Sequence, residues 1–218
     1  MPELFEPQAP SPDQFLGITK KFREVFGQYD HILTSEPVTQ IIEPGVAWVV
    51  EGQHGPTLVS KNMLILDVDY KGTLSELNSR SDRDHLNDLI ERLDEHCLDS
   101  ISGRGYRTCK GLRFIPTQRV SDQTFLEGLK RFSEALDVDV RYRLATQIRK
   151  ASQARLKPKR PEMRREILDQ DAGHGPRRAC RFIGRVNDWG QLPCPSLAAQ
   201  IRFHDEQTEA FNGAKELF

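Results

Sequence analysis

Residues 63–69 read Met-Leu-Ile-Leu-Asp-Val-Asp, and this stretch decides the fold expected for the chain. The apolar run from Met63 to Val68 is typical of a central strand that is buried on both faces. Asp67 and Asp69 are two residues apart on that strand, so their carboxylates point the same way near its end. Carboxylates are the ligands that a hard divalent cation prefers, and the pair therefore predicts a magnesium or manganese site.

The segments before this strand predict more strands and one helix. Three β-like runs, with Pro and Gly in the turns between them, cover residues 38–42, 46–51 and 57–59. Earlier still, residues 1–13 contain four prolines and are expected to form an extended N-terminal arm. Residues 14–29 have apolar positions at three- and four-residue steps, which predicts an amphipathic helix.

The segments after this strand predict helices and two further strands. Residues 81–97 have helical periodicity, with Ser81 as the N-cap and Asp84 at the capping-box position, and another helix starts at Ser121 or Asp122. A turn at 103–105, strands at 112–116 and 179–186 and a helix at 197–211 complete the prediction. This order predicts one α+β domain over residues 14–218, with an antiparallel or mixed sheet and helices packed on it.

The composition of the 218 residues is that of a globular protein, with 37% hydrophobic and 29% charged residues. No stretch approaches the roughly 18 apolar residues of a membrane span. The acidic, proline-rich N-terminus lacks the features of a secretory signal, so a cytoplasmic protein is expected. The four cysteines have no C-x-x-C spacing and are expected to be reduced thiols.

The net charge of −1 conceals a strongly basic segment between Arg141 and Arg165, where Glu162 is the only acid. Pro158 and Pro161 prevent a continuous helix and favour extended backbone before them. Extended cations can follow a phosphate backbone, with binding that weakens steeply as salt increases. The residues predicted to bind nucleic acid are Arg149, Lys150, Arg155, Lys157, Lys159 and Arg160.

Residues 106–113 read Tyr-Arg-Thr-Cys-Lys-Gly-Leu-Arg at the mouth of a predicted strand. Gly111 lets the backbone approach a ligand closely. The flanking side chains of Arg107, Lys110 and Arg113 supply hydrogen-bond donors suited to phosphate. The segment therefore predicts a nucleotide-binding turn.

Taken in order, these motifs resemble the three-motif core of archaeo-eukaryotic primases and primase-polymerases. The matching segments are Asp67-x-Asp69, then residues 106–115, then Asp137-x-Asp139 followed by Arg155-Leu156-x-Pro158. The resemblance implies a primase-core (RRM-like) architecture and a nucleotidyltransferase of DNA replication that uses Mg or Mn. It implies a catalytic set of Asp67, Asp69, Asp137 and Asp139, with Asp67, Asp69 and Asp139 as metal ligands. It further implies that Thr108, Gly111 and Arg113 line the nucleotide, and that nucleotide and nucleic acid are the partners.

Two alternatives stay open. The primase family usually has histidine where this chain has Arg113, and arginine cannot act as an acid or base near neutral pH. A catalytically inactive nucleic-acid-binding or interaction protein on the same fold, with a possible protein partner, is therefore the second prediction. The segment at 64–74 also resembles the Asp-x-Asp-Gly-Thr motif of haloacid-dehalogenase-like phosphatases, although Tyr70 and Lys71 separate Asp69 from Gly72.

Two further features carry weaker expectations. His204-Asp205 suggests an oriented imidazole, but the sequence identifies no nucleophile beside it. For Trp48 and Trp189, packing in the core or at an edge is the expected role, in preference to stacking on bases.

Overall fold

The computed structural model describes residues 38–52, 55–108, 110–121, 124–157, 179–187 and 193–211. The predicted arm at 1–13, the predicted helix at 14–29, Lys159, Arg160 and Trp189 lie outside these residues. The strands are β1 Val38–Glu43, β2 Ala47–Gly52, β3 Gly55–Ser60, β4 Leu66–Asp69, β5 Gly103–Thr108, β6 Gly111–Pro116, β7 Ser152–Arg155 and β8 Cys180–Val186. The helices are α1 Leu74–Ser79, α2 Asp82–Glu95, α3 Phe125–Leu136, α4 Val140–Arg149 and α5 Pro195–Thr208.

The strands form two four-stranded sheets in which every pair is antiparallel. The first sheet has the order β1-β2-β3-β7, and the second has the order β4-β6-β5-β8. The predicted α+β class is confirmed, but the predicted sheet is in fact two sheets. The first sheet covers one face of the second, because Val49, Leu58 and Ala154 of the first pack in one core with Tyr106 and Ile115 of the second.

Helices cover the other face of the second sheet. Leu66 and Val68 of β4 and Phe114 of β6 pack there against side chains of α2 and α3, including Leu89 and Phe132. The predicted capping box of α2 is present, since Ser81 and Asp84 bond each other's backbone N–H groups. None of the helices in the described part of the chain is long and apolar enough to cross a membrane.

Strand β4 lies at the end of its sheet, so the prediction that it is central was wrong. Among the residues that the structure describes, the backbone pairing on its outer side is limited to a bridge between Val68 and Val138. Met63 and Leu66 are nevertheless fully buried. Their burial comes from α3 on one face and the first sheet on the other, and it does not need a neighbouring strand on each side.

Residues 103–105 are the start of strand β5, so the turn predicted there was also wrong. A Cβ atom at Gly103 would lie 2.2 Å from the ring of Phe114 and 3.0 Å from the carbonyl oxygen of Ile115. Gly103 is therefore a packing glycine, which lets an aromatic ring lie against the backbone. The short helix α1 and helix α4 were not predicted, and α4 makes the first part of the basic segment helical.

Candidate functional site

One row of side chains crosses the second sheet on the face that meets α5. The strand register places Asp67 opposite Arg113, Arg113 opposite Tyr106, and Tyr106 opposite Phe182. Directly opposed residues share one face of a sheet, so this row follows from the register alone. Helix α5 adds two polar side chains to it, and we define the buried polar network as Asp67, Arg104, Tyr106, Arg113, Cys180, His204 and Asp205.

The exposed end of the buried polar network is the ion pair between Arg113 and Asp67. The Arg113 Nε–H donates to Asp67 Oδ1 at 2.7 Å, and Nη2 donates to Oδ2 at 3.2 Å. The Arg113 side chain is 5% exposed, whereas that of Asp67 is 36% exposed. Burial by itself would lower the pKa of Arg113, but the Asp67 carboxylate outweighs this effect and raises it. Arg113 is therefore a permanent cation that holds Asp67 in one orientation.

The hydrogen bonds of Arg113 also determine the tautomer of His204. The Arg113 Nη1 atom lies 3.1 Å from His204 Nε2, and a guanidinium can only donate. His204 Nε2 must then accept, which leaves the proton on Nδ1, 3.1 Å from Asp205 Oδ1. The neutral imidazole of this tautomer lies between a cation and a carboxylate. Burial by itself would lower the pKa of His204, but Cys180 and the hydrogen bond to Asp205 outweigh this effect and raise it.

Asp205 contacts three side chains at the buried end of the network and so joins α5 to β5. It accepts the Tyr106 hydroxyl at 2.7 Å, as well as the His204 Nδ1–H. Its second oxygen lies 3.2 Å from Arg104 Nη2, and both side chains of this ion pair are less than 10% exposed. The Arg104 guanidinium lies over the ring of Phe182, 4.6 Å from its centroid.

Cys180, His204 and Asp205 stand in the order of a nucleophile, a base and an orienting acid. Cys180 Sγ lies 3.9 Å from His204 Nε2. However, Cys180 is 2% exposed and His204 is fully buried, and Arg113 already bonds the nitrogen that would take the thiol proton. A substrate cannot reach this thiol, so the arrangement joins the sheet to α5 and is not a catalytic triad.

The four predicted catalytic acids lie on two neighbouring backbone segments. The antiparallel bridge between Val68 and Val138 places the backbone of Asp67 opposite Asp139 and that of Asp69 opposite Asp137. We call these four residues the acidic edge. The two motifs are therefore adjacent along the backbone, and the convergence of their carboxylates on a metal stays a prediction.

Three carboxylates of the acidic edge already have protein partners. Asp67 bonds Arg113, Asp137 forms an ion pair with Lys71, and Asp139 Oδ1 accepts the Tyr142 N–H at 2.7 Å as the N-cap of α4. Among the side chains that the structure describes, no three His, Cys, Asp or Glu residues are grouped closely enough to hold a metal ion.

Burial, followed by the Asp67 charge, raises the pKa of the neighbouring Tyr142 to about 12, so its hydroxyl stays protonated.

The structure places the predicted nucleotide-binding residues at four different locations. Lys110 lies in the turn between β5 and β6, and Gly111 begins β6 opposite Asp69. The Tyr70 N–H donates to the Lys110 carbonyl at 3.2 Å, so this turn lies beside the end of β4. Arg107 instead donates to Asn78 of α1 at 2.6 Å. Thr108 pairs with Cys180 in β8, and Arg113 lies in the buried polar network.

The predicted nucleic-acid-binding residues that the structure describes lie at the end of α4 and along β7. Lys150 and Lys157 are exposed. Arg149 donates to Gln153, Arg155 lies opposite Thr57, and Lys157 is 3.9 Å from Glu209. These cations therefore lie near the first sheet, beyond the end of α4 that is opposite to its N-cap Asp139.

Sequence reasoning missed Arg104, Tyr106 and Cys180, and it left His204-Asp205 without a partner. The signal was present in β5, where Arg104 and Tyr106 alternate with two glycines. Assigning residues 103–108 to a strand would have placed both side chains on one face.

Comparison of the chain with protein-family models, with curated proteins and with solved structures finds no match. Its function must therefore be inferred from its own geometry and chemistry.

Proposed function

We propose that this protein handles nucleotide or nucleic-acid phosphates at the acidic edge, as a metal-dependent nucleotidyltransferase of the primase-polymerase type. One observation carries the proposal: the end of β4 lies between two segments that the sequence predicts to be functional. Asp137 and Asp139 flank it on one side, and the turn with Lys110 and Gly111 flanks it on the other. Under this proposal the acids would hold the cation and the Lys110 turn would bind the phosphate, both beside one end of β4.

The partners of Asp67 are compatible with cation binding. A carboxylate has about four lone-pair sites, and Arg113 uses two of them in the geometry described above. Asp67 is also the exposed member of that pair. Hydrogen-bonded carboxylates are usual among metal ligands, because the second bond fixes their orientation. Asp67, Asp69 and Asp139 would hold Mg or Mn, which would neutralise charge on the phosphate oxygens.

Arg113 has a positioning role in this proposal. It cannot accept a proton, so it does not replace the histidine that the primase family usually has at this place. Its hydrogen bonds orient the Asp67 carboxylate. Arg113 is itself oriented by its hydrogen bond to His204, which is held by Asp205. The proton of an attacking hydroxyl would therefore have to leave to water or to a carboxylate of the acidic edge.

A second candidate is a protein that binds nucleic acid without turnover. The Arg113 charge is directed at Asp67 through two hydrogen bonds, and this favours the second candidate because it offsets the negative charge that would attract a cation. The phosphatase alternative has less support. Strand β4 pairs antiparallel with β6, and no parallel pair occurs among the described strands, so they contain no βαβ unit.

The test is template-directed nucleotide incorporation with Mn or Mg, comparing the native chain with Asp67→Asn. Asparagine keeps the shape and accepts one bond from Arg113, but it is a poor ligand for a hard cation. It also leaves the Arg113 charge uncompensated, so circular dichroism must first show that the variant is folded. Asp94→Asn, which removes an equal charge on the exposed side of α2, is the matched control. We expect the Asp67 variant to lose incorporation and Mn binding measured by electron paramagnetic resonance, and the control to keep both.

Incorporation that persists in the Asp67 variant would sink the metal-site proposal. Oligonucleotide binding without any incorporation would support the second candidate. Rapid hydrolysis of p-nitrophenyl phosphate that depends on Asp67 would favour the phosphatase.

A further inference from the structure

The first sheet has an outer face that points away from the core it shares with the second sheet. Val49, Leu58 and Ala154 point into that core, so the residues that alternate with them point outward. In an antiparallel sheet such a face is commonly in contact with water. The register of β1, β2 and β3 aligns the outward residues in two rows, which are Ile41, Trp48 and Val59, and Val38, Val50 and Thr57.

The middle of the outer face is apolar and buried. Val50 is 7% exposed and Val59 is 4% exposed. Within the described part of the chain, the hydrophobic residues that pack with them here are Ala151 and Trp48, which belong to the same sheet or directly precede one of its strands. Neighbours in the plane of a sheet leave the top of a valine side chain open, which indicates that a further layer covers these residues.

Exposure changes sharply across the outer face. In the same two rows, the β1 residues Ile41 and Val38 are 65% and 56% exposed. The cover therefore lies over β2 and β3 and stops short of β1. A helix with its side chains is about 10 Å wide, which matches two strand spacings of about 4.8 Å, so a single helix would produce this pattern.

The segment 14–29 has the apolar surface that such a cover needs. Its apolar stripe consists of Phe15, Ile18, Phe22, Val25 and Phe26, at helical spacing. A helix over these 16 residues would be about 24 Å long, whereas a four-stranded sheet is roughly 14 Å across. Residues 30–37 connect the segment to β1, and eight extended residues reach at most about 29 Å. The segment can therefore reach any part of the outer face.

One other long segment outside the described residues adjoins this sheet. Residues 158–178 follow β7, but they contain no aromatic residue and are rich in charge. Their large apolar side chains are Met163, Ile167 and Leu168. Aromatic side chains bury the most apolar area per residue, so the apolar stripe of 14–29 is the better match for a buried face.

We propose that residues 14–29 pack as a helix on the outer face of the first sheet, with the apolar stripe over Val50 and Val59 and beside Trp48. The first sheet is then a middle layer between this segment and the second sheet. The partner of the outer face is the chain's own N-terminal segment, and the interaction is independent of the acidic edge.

Cross-linking of the native chain tests this position without any substitution. Lys20 and Lys21 lie in the segment, Lys61 Nζ is 5.8 Å from the centroid of the Trp48 ring, and Lys150 directly precedes Ala151. An amine-reactive cross-linker followed by mass spectrometry should join Lys20 or Lys21 to Lys61 or Lys150. Links that instead join them to Lys110 or Lys130, which lie on the second sheet and α3, would overturn the proposal.

Trp48 fluorescence reports whether the cover is in place. In a Trp189→Phe background, Trp48 is the only tryptophan of the full chain. Phe22→Asp should increase the quenching of Trp48 by acrylamide and shift its emission to longer wavelength. It should also raise the equilibrium constant for unfolding by about tenfold or more, the effect of losing the burial of one Phe side chain. The matched control Lys20→Asp, on the opposite side of the predicted helix, should change neither property.

Three other results would overturn the proposal. Phe22→Asp could leave the fluorescence of Trp48 and the unfolding equilibrium as they are in the native chain. Ile167→Asp could produce the changes expected of Phe22→Asp, which would make residues 158–178 the cover. In a mixture of isotopically labelled and unlabelled chains, the cross-links could join a labelled chain to an unlabelled one, which would make a second copy the cover. The cross-linking results decide the question if Phe22→Asp does not fold.

Discussion

Replacing Asp205 tests whether the buried polar network holds the sheet to α5. Its carboxylate compensates the Arg104 charge and also bonds Tyr106 and His204. Removing one partner of a buried ion pair leaves an uncompensated charge and costs about 3–5 kcal/mol. Two further groups would lose an acceptor, but such losses are not additive. We therefore expect Asp205→Ala to lower the free energy of unfolding by at least about 3 kcal/mol, a large share of the roughly 5–15 kcal/mol of a typical domain.

Urea unfolding followed by circular dichroism measures this change, with two comparison variants. Asp205→Asn can still accept from Tyr106 but cannot neutralise Arg104, so it should lose most of the same stability. Lys157→Ala breaks the exposed pair with Glu209 and should cost less than about 1 kcal/mol. A loss below about 1 kcal/mol in both Asp205 variants would refute the network as the link between the sheet and α5.

Burial lowers the pKa of His85, despite its hydrogen bond to the Leu77 carbonyl, so the unfolded chain binds the proton more readily. Stability should therefore fall as pH decreases below about 6.5, the unfolded value, and urea titrations should show a weaker pH dependence in His85→Gln but not in the exposed His96→Gln. Gly103→Ala would place a methyl group against the Phe114 ring, which should cost about 1–3 kcal/mol of unfolding free energy. Thermal unfolding should show a smaller change for Gly128→Ala, and equal changes would contradict the packing argument.

Local sequence signals predicted the elements whose stabilising contacts are made between residues close together in the sequence. The periodicity of residues 82–95 and the pair Ser81 and Asp84 determine α2 and its capping box, because all the partners lie within one turn. Alternation and turn residues likewise located β1, β2 and β3. The glycines of β5 misled the prediction, because their role is to admit the Phe114 ring, which belongs to another strand.

The features of the candidate site can likewise be separated into those that the sequence shows and those that depend on the fold. The sequence by itself determined that two Asp-x-Asp motifs exist and that each places its acids two residues apart. Only the tertiary structure decided that a bridge between Val68 and Val138 aligns them, that Arg113 is bonded to Asp67, and that His204 and Asp205 hold Arg113 from a helix about 90 residues later. The physical reason is that a buried charge needs a partner of opposite charge or a hydrogen-bond partner. The sequence shows which residues are charged, but not which distant residue lies beside each of them in the folded protein.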